Sequence, residues 1–397
     1  MRVALNFIAV GARRGGAEAY VGMLARTLIA AGHEVHVVAE CVDSGELPAT
    51  VTFHPISLPK WLGLSWLRPY RFAAESARIL ASETYDLVIG FSHVWRQDVC
   101  LATNGCRRAL LADCQQRSRS RTGRALWQLG KLLSPKQSLF RWIEYKQFQP
   151  GNVPFVIAPS ERVARDFEHF HGVPRNRIAV VPLGIELANK TINIETRAAS
   201  RQRLGLSAGD VAILFAARNY ALKGLEPLLH AFARLATGPS TPQLLVCGSD
   251  RERRFRRLAA RLGVADRVHF LGSVEDTRSC FAAANLFAMP TFYDACSLVV
   301  IEALAAGLPV ITTQSNGASE VITPGSDGFI IDTPWSLDQL AGCLQMLVAD
   351  ADLRKQMGKQ ALRSSARLSI EASVRNTLCA IEDWRAAREN PPGRIAA

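Results

Sequence analysis

The chain has 397 residues, 48% hydrophobic and 21% charged, with a formal net charge of +12 and nine cysteines. That length suits about two to three domains with an ample core, and no run of about eighteen uncharged apolar residues is present to cross a bilayer. The cysteines form no Cys-x-x-Cys pair and read as reduced thiols rather than a disulfide framework or zinc site, and the chain enters a strand with no cleavable signal, so a cytoplasmic protein is expected.

An apolar strand over residues 2–10 leads through Gly15-Gly16-Ala17-Glu18 into an amphipathic helix over 17–31 and a strand over 33–39. Such strand–loop–helix units imply parallel sheets covered by helices. Gly15 and Gly16 let backbone approach a phosphate closely, although a Gly-Gly turn serves a tight strand-to-helix connection equally well. A strand over 86–90 follows, and His93 and Asp98 lie in the segment after it, where a polar side chain beside a crevice orients an acceptor hydroxyl. A loop histidine is also commonly structural or simply solvated. Residues 103–148 carry ten Lys and Arg against Asp113 and Glu144, interleaved with Trp127, Leu132, Leu133, Phe140 and Trp142. Cations around tryptophan and leucine are what an interfacial helix needs against anionic headgroups. Two other readings are a solvated lid packed on the first domain and, since basic charge with aromatics permits it, a nucleic-acid or regulatory binding protein on a nucleotide-binding scaffold.

A boundary falls near 183–193, because residues 186–207 are polar and weakly patterned. A second set of strands then begins near Val211 and repeats at 243–247, 268–271, 286–289, 309–312 and 328–331. The first of them ends in a short loop holding Arg218 and Lys223. Cations at a strand exit neutralise a diphosphate and help it depart as a leaving group. The basic run 251–261 reads as an exposed helix. In Pro290–Val310, Asp294 and Glu302 are set with seven residues between them, across a loop that enters an apolar helix. Ser297 caps that helix, and Gly307 and Pro309 end it. Amides at the helix start suit a diphosphate. Asp294, just outside, meets a sugar hydroxyl, and Glu302, about a turn and a half inside, accepts from a ribose diol. The other reading is a buried crossover helix in which Glu302 found a partner. Arg218, Lys223 and the helix start take the place of a divalent ion, so no metal is expected. The arrangement reads as a sugar-nucleotide site, and no cofactor is expected, the nucleotide-sugar being a substrate. A final helix over 370–388 stops at Pro391-Pro392.

These motifs, with Val180-Val-Pro-Leu-Gly184, Lys223-Gly224, Phe270-Leu-Gly272, Ala283–Pro290, Ala306–Val310 and Asn316-Gly317 with Glu320, resemble the retaining glycosyltransferases of family 4 along nearly the whole chain. The resemblance implies an α/β architecture of the GT-B fold, two Rossmann-like βαβ domains facing across a cleft. Residues 1–185 would bind the acceptor, residues 186–369 the nucleotide-sugar, and 370–397 would supply a helix crossing back to the first domain and a tail. It places Arg218 and Lys223 on the diphosphate, Glu302 on the ribose, Asp294 on the sugar hydroxyls, and the amides of Ser297, Leu298 and Val299 at the helix start. It also adds Arg177 to the donor side. Asn104 stands where many members carry a histidine, and Asp294 where most carry glutamate. Gly90-Phe-Ser-His-Val-Trp-Arg-Gln-Asp98 and the basic segment are similar to the branch that glucosylates the lipopolysaccharide inner core. The implied activity is retaining, metal-independent transfer of a hexose, glucose by that likeness, from a UDP-sugar to a lipid-linked glycan. It would occur at the inner face of the cytoplasmic membrane, with residues 103–148 on the anionic surface and no nucleic acid as partner. An alternative is a family member acting on another cell-surface polysaccharide or glycolipid with a different nucleotide-sugar.

Overall fold

The computed structural model describes residues 1–11, 16–58, 65–91, 93–117, 120–149, 151, 153–187, 194–207, 209–235, 241–274 and 276–389. The chain divides into two compact units, one made of Met1–Leu183 with Ile370–Ala397, the other of Gly184–Ser369.

The first unit runs β1 (Arg2–Asn6), β2 (Ala9–Val10), α1 (Gly16–Ala30), β3 (Glu34–Ala39), β4 (Cys41–Val42), β5 (Thr52–Pro55), α2 (Arg68–Ala81), β6 (Leu87–Gly90), β7 (Val99–Leu101), α3 (Arg107–Cys114), α4 (Arg121–Leu132), α5 (Pro135–Gln147), β8 (Phe155–Ala158), α6 (Glu161–His171) and β9 (Ile178–Val180). Seven strands form one parallel sheet in the order β5-β3-β1-β6-β7-β8-β9. Leu87–Gly90 and Phe155–Ala158 are buried at every position, as strands with helices on both faces must be. The strand expected over 2–10 is broken in two. β1 follows β3 as far as Asn6↔Val38, then Phe7 turns to pack its ring 5.5 Å from Phe91, and β2 pairs with β4 in a separate ribbon.

The second unit runs α7 (Ile194–Arg203), β10 (Val211–Ala216), α8 (Leu225–Phe232), β11 (Pro242–Cys247), α9 (Arg253–Arg261), β12 (Val268–Gly272), α10 (Arg278–Ala283), β13 (Leu286–Met289), α11 (Leu298–Ala305), β14 (Val310–Thr313), β15 (Gly328–Ile331), α12 (Leu337–Ala349) and α13 (Ala351–Ser365). Its parallel sheet has the order β12-β11-β10-β13-β14-β15, so the winding direction reverses between β10 and β13. At such a reversal neighbouring loops part and leave a crevice at the carboxyl ends of the strands. The weakly patterned stretch ahead of β10 contains a helix after all. α7 is held by its arginines, since Arg197 donates to the carbonyl of Ala282 at 2.8 Å and Arg201 to that of Ala283 at 3.0 Å. These are carbonyls at the end of α10, which have no intrahelical partner.

The chain then returns to the first unit as α14 (Ile370–Glu389). Trp384 stacks on Phe155 at 5.0 Å, and the buried Ser373 hydroxyl lies 2.8 Å from the Tyr20 hydroxyl and donates to the Pro182 carbonyl at 2.8 Å.

Candidate functional site

Three adjacent strands of the second sheet, β10, β13 and β14, end side by side, and the sequence after each contributes to one cluster. After β10 the chain makes a tight turn. Tyr220 is buried, its amide donating to Asp250 Oδ2 at 2.8 Å and its hydroxyl to the Gly248 carbonyl at 2.6 Å. Asn219 Oδ1 receives the Leu222 amide at 3.1 Å, and the Asn219 carbonyl receives the Lys223 amide at 2.9 Å. Gly224 closes the turn at φ +83°, and a Cβ there would lie 1.8 Å from the Pro290 carbonyl oxygen. Only glycine allows the β10 turn to sit this close to the β13 turn.

Lys223 is thereby aimed at Asp294, and its Nζ forms an ion pair with Asp294 Oδ2 across the reversal point. Both side chains are largely buried, with 20% and 16% exposure. Asp294 is itself fixed by backbone, since its amide donates to the Ser315 carbonyl at 3.0 Å and its carbonyl accepts the Gly317 amide at 2.8 Å. Thr291 ties the turns together, its single hydroxyl hydrogen shared between the carbonyls of Leu222 (3.2 Å) and Tyr293 (3.0 Å), while Thr313 donates to the Thr291 carbonyl at 2.6 Å.

α11 starts at this cluster. Ser297 occupies the cap position, but its hydroxyl makes no capping hydrogen bond. The work is done by Asn316, fully buried, whose Oδ1 receives the amides of Ser297 (3.3 Å) and Ala318 (3.1 Å) and whose Nδ2 donates to Thr312 Oγ1 at 3.0 Å. The Ser297 amide is therefore already engaged, which leaves Leu298 and Val299, both half-buried, as the residues at the open helix start. Glu302 lies in the following turn of α11 and is half-buried, and Arg218 is exposed just beyond β10. Asn316, Tyr220, Asp250 and Thr291 are the organising residues that sequence spacing does not single out. The Asn316-Gly317 pair after a predicted strand is the one visible signal. The chain contains one Asp-x-Asp triplet, Asp350 to Asp352, and it begins α13, where Asp350 Oδ1 accepts the Leu353 amide at 2.8 Å.

In the first unit, Gly15 lies outside the described residues and Gly16 opens α1. His93 follows β6 and Asn104 follows β7, so both stand at the carboxyl ends of neighbouring strands. The His93 ring packs edge-on to Phe140 at 4.6 Å, and burial pushes its pKa down to about 4 against the pull of Glu144, so the ring is neutral near pH 7. Two expected site residues have other work. Asp98 sits at the amino-terminal end of β7, its carboxylate accepting the Val88 amide at 2.8 Å and its carbonyl the Phe155 amide at 2.9 Å. Arg177 precedes β9 and donates to the Val153 carbonyl, also at the amino-terminal side of its sheet. A cavity of about 350 Å³ opens beside Asp98, lined by Tyr85, Trp95, Arg96 and Gln97 among others.

The basic segment is a helical hairpin. α5 packs inward through Ile143, and Trp142 joins Tyr70 and Trp95 in an aromatic cluster with Lys146 over both indoles at 4.7 and 4.9 Å. Leu129, Leu133 and Tyr145 stay exposed, Leu133 by 72%. Among the described residues no helix is long and apolar enough to cross a membrane.

Comparison with known proteins gives the same reading as the geometry. Residues 14–189 match the family model described as Glycosyltransferase Family 4 and residues 196–364 the model described as Glycosyl transferases group 1. The chain is 27% identical over 352 residues to the lipopolysaccharide glucosyltransferase WaaG of Escherichia coli (strain K12), across 87% of this chain and 90% of that protein. It is 32% identical over 224 residues to the D-inositol 3-phosphate glycosyltransferase of Nocardia farcinica (strain IFM 10152), across 54% of this chain and 49% of that protein. In fold it is similar to the crystal structure of WaaG, with a TM-score of 0.81 at 24% identity over 94% of this chain and 98% of that one. Anabaena Alr3699/HepE in complex with UDP-glucose superposes with a TM-score of 0.70 at 18% identity, over 96% of this chain and all of that one. With two parallel Rossmann-like sheets, the two family domains in succession and a charged cluster at the reversal point of the second sheet, the chain belongs to the family 4 glycosyltransferases of the GT-B fold.

Proposed function

We propose that the protein is a retaining, metal-independent hexosyltransferase that moves glucose from UDP-glucose to a lipid-linked glycan of the lipopolysaccharide inner core. The observation that carries this reading is the Lys223–Asp294 ion pair at the β10/β13 reversal, beside the open start of α11. A buried cation next to a helix N-terminus is suited to a diphosphate, and its charge is worth most as negative charge develops on the departing phosphate oxygen. Arg218 adds a second cation at the rim, Glu302 accepts the ribose hydroxyls, and Asp294, released from part of its hold on Lys223, accepts a hydroxyl of the sugar. The C1–phosphate bond breaks and the C1–acceptor bond forms on the same face, and the acceptor proton passes to the departing phosphate oxygen. No protein base is needed for that step. The likeness to WaaG supports glucose and the lipopolysaccharide core. The exposed leucines and cations of the α4–α5 hairpin support a peripheral place on the anionic inner face of the cytoplasmic membrane. Asp294 favours a second reading within the family, another nucleotide-sugar, because aspartate reaches one methylene less far toward the sugar than glutamate.

A thermal-shift panel of UDP, GDP, ADP and their hexose conjugates tests the donor directly, since a ligand that binds the folded state raises its midpoint by mass action. The expected result is a shift for UDP and UDP-glucose that EDTA does not reduce and that Glu302→Ala diminishes. A shift for another nucleotide-sugar instead would select the second reading. No shift with any nucleotide would remove the transferase assignment and bring forward the nucleic-acid or regulatory alternative.

A further inference from the structure

We propose that Cys106, Glu144 and His171 form a structural zinc site that fastens the α5 arm of the basic hairpin to α3 and α6. The three residues come from different helices. Cys106 is the N-cap of α3, Glu144 lies in the last turn of α5, and His171 is the last residue of α6. Their donor atoms lie within 4.8 Å of one another, and tetrahedral zinc with ligand bonds of about 2.0–2.3 Å holds its donors roughly 3.3–3.8 Å apart, a distance reached by small side-chain adjustments.

The cluster contains polar atoms that its protein neighbours do not satisfy. Cys106 is fully buried, and the side chains of Glu144 and His171 are only 6% and 5% exposed. Glu144 Oε1 accepts the Arg107 amide at 3.1 Å, which fixes the carboxylate. Its Oε2 and His171 Nε2 have no hydrogen-bond partner among the described residues. The closest approach of the imidazole to the carboxylate, Nε2 to Oε1, is 3.5 Å, too long for a good N–H···O bond. A simple buried ion pair would close that gap, and polar atoms of native interiors are almost always paired. One divalent cation answers thiolate sulfur, imidazole nitrogen and carboxylate oxygen together. Thiolate, imidazole and carboxylate are each ligands that zinc accepts, the fourth tetrahedral position falling to a water molecule that enters with the ion, and sulfur with nitrogen disfavours magnesium and calcium.

The surroundings fit a ligand shell. The Arg107 amide on Oε1 orients the carboxylate from outside, leaving Oε2 toward the thiol and imidazole, as hydrogen bonds to the ligands of a metal do. The His171 ring is held in place by stacking on Phe148 at 4.7 Å. The Arg107 guanidinium is engaged elsewhere as well, donating to Gln137 Oε1 at 2.8 Å and lying over the Phe140 ring at 4.0 Å. Binding of the cation releases the thiol proton to solvent. Cysteine spacing along the chain gives no sign of such a site, because two of its three ligands are not cysteines and all three are far apart in sequence.

The test uses full-length protein stripped with chelator and titrated with Co²⁺. One equivalent is expected to bind with a thiolate-to-cobalt charge-transfer band in the near ultraviolet, and stoichiometric Zn²⁺ is expected to displace it and to raise the thermal midpoint. Cys106→Ser should abolish the band and Cys114→Ser should leave it in place. Glu144→Gln, close to isosteric, gives a second readout should Cys106→Ser fail to fold, and it should weaken binding by about tenfold or more. Absence of the band in the unmodified protein, or its persistence in Cys106→Ser, would overturn the site. Cobalt taken up at the His36–His54–Glu83 cluster would give no thiolate transition, so it counts against the proposal.

Discussion

At the scale of single residues, Lys223 and Asp294 combine two roles. As long as no anion is present, each compensates the other's buried charge. Once a diphosphate enters, the lysine has a second anion within reach. Its contribution grows as the leaving group gains charge, so its loss should appear in turnover more than in ground-state binding. Lys223→Ala is expected to reduce kcat by about a hundredfold or more with a smaller change in KM, measured as UDP release with purified acceptor. Near-normal turnover would take Lys223 out of the chemistry. His93 supports a prediction of a different kind. Its folded pKa lies near 4, below the value of about 6.5 for a free histidine, so between these values the unfolded chain binds the extra proton. Stability should therefore fall as pH drops from about 6.5 toward 4, with a slope from this residue of at most about 1.4 kcal/mol per pH unit. Urea unfolding at pH 7, 6 and 5 should show a steeper decline for the unmodified protein than for His93→Gln. Equal declines would mean the ring is not held neutral by its surroundings.

At the scale of elements, the second unit depends on how closely the turns after β10 and β13 approach. Gly224 combines a left-handed backbone with a Cβ position that falls on the Pro290 carbonyl. Neither problem can be relieved by a side-chain rotation, since the clash is with backbone. Gly224→Ala should destabilise the protein by about 2 kcal/mol or more and should depress turnover as well, because the displaced turn carries Lys223. Denaturant midpoints together with kcat test this, and a fully stable, fully active variant would show that the turns tolerate separation. The same elements indicate how much the sequence discloses. The strands of the second unit and α11 were legible because buried parallel strands are uninterrupted apolar runs and because Gly307 and Pro309 mark a helix end. α7 was not, because its stability comes from arginines bonded to the carbonyls of α10, a tertiary interaction with no local pattern. Ser297 was legible as the residue at the helix cap, but the cap is made by Asn316, nineteen residues on and brought close only by the pairing of β13 with β14. Arg177 and Asp98 lie beside predicted strands, and one sequence does not reveal that both sit at the amino-terminal ends, away from where a parallel sheet binds ligands.

At the scale of the whole molecule, the charge is concentrated rather than spread. Ten Lys and Arg against two acids place eight of the chain's twelve net positive charges in residues 103–148. In the fold, the two helices of that segment have different environments. α5 is anchored by Ile143 and by the Tyr70–Trp95–Trp142 cluster, whereas Leu129 and Leu133 at the end of α4 remain in solvent beside the cations. A solvated lid would have no use for a leucine that is 72% exposed, but a surface that docks on anionic headgroups would, with cations supplying long-range attraction and leucines a shallow insertion. Each Lys or Arg near an anionic leaflet contributes about 1 kcal/mol, so replacing Arg117, Arg121 and Arg124, together with Arg119 outside the described residues, by serine should weaken vesicle binding by roughly a thousandfold. The measurement is co-sedimentation with phosphatidylglycerol vesicles at low and high salt, with transfer to a soluble acceptor assayed in parallel. The expected pattern is binding that salt weakens in the unmodified protein, no binding in the variant, and undiminished transfer in solution by both. Unchanged vesicle binding would assign the cations to solvation alone. Loss of transfer to the soluble acceptor along with binding would mean that the hairpin contacts the glycan itself, and the membrane would then no longer be needed to explain the charge.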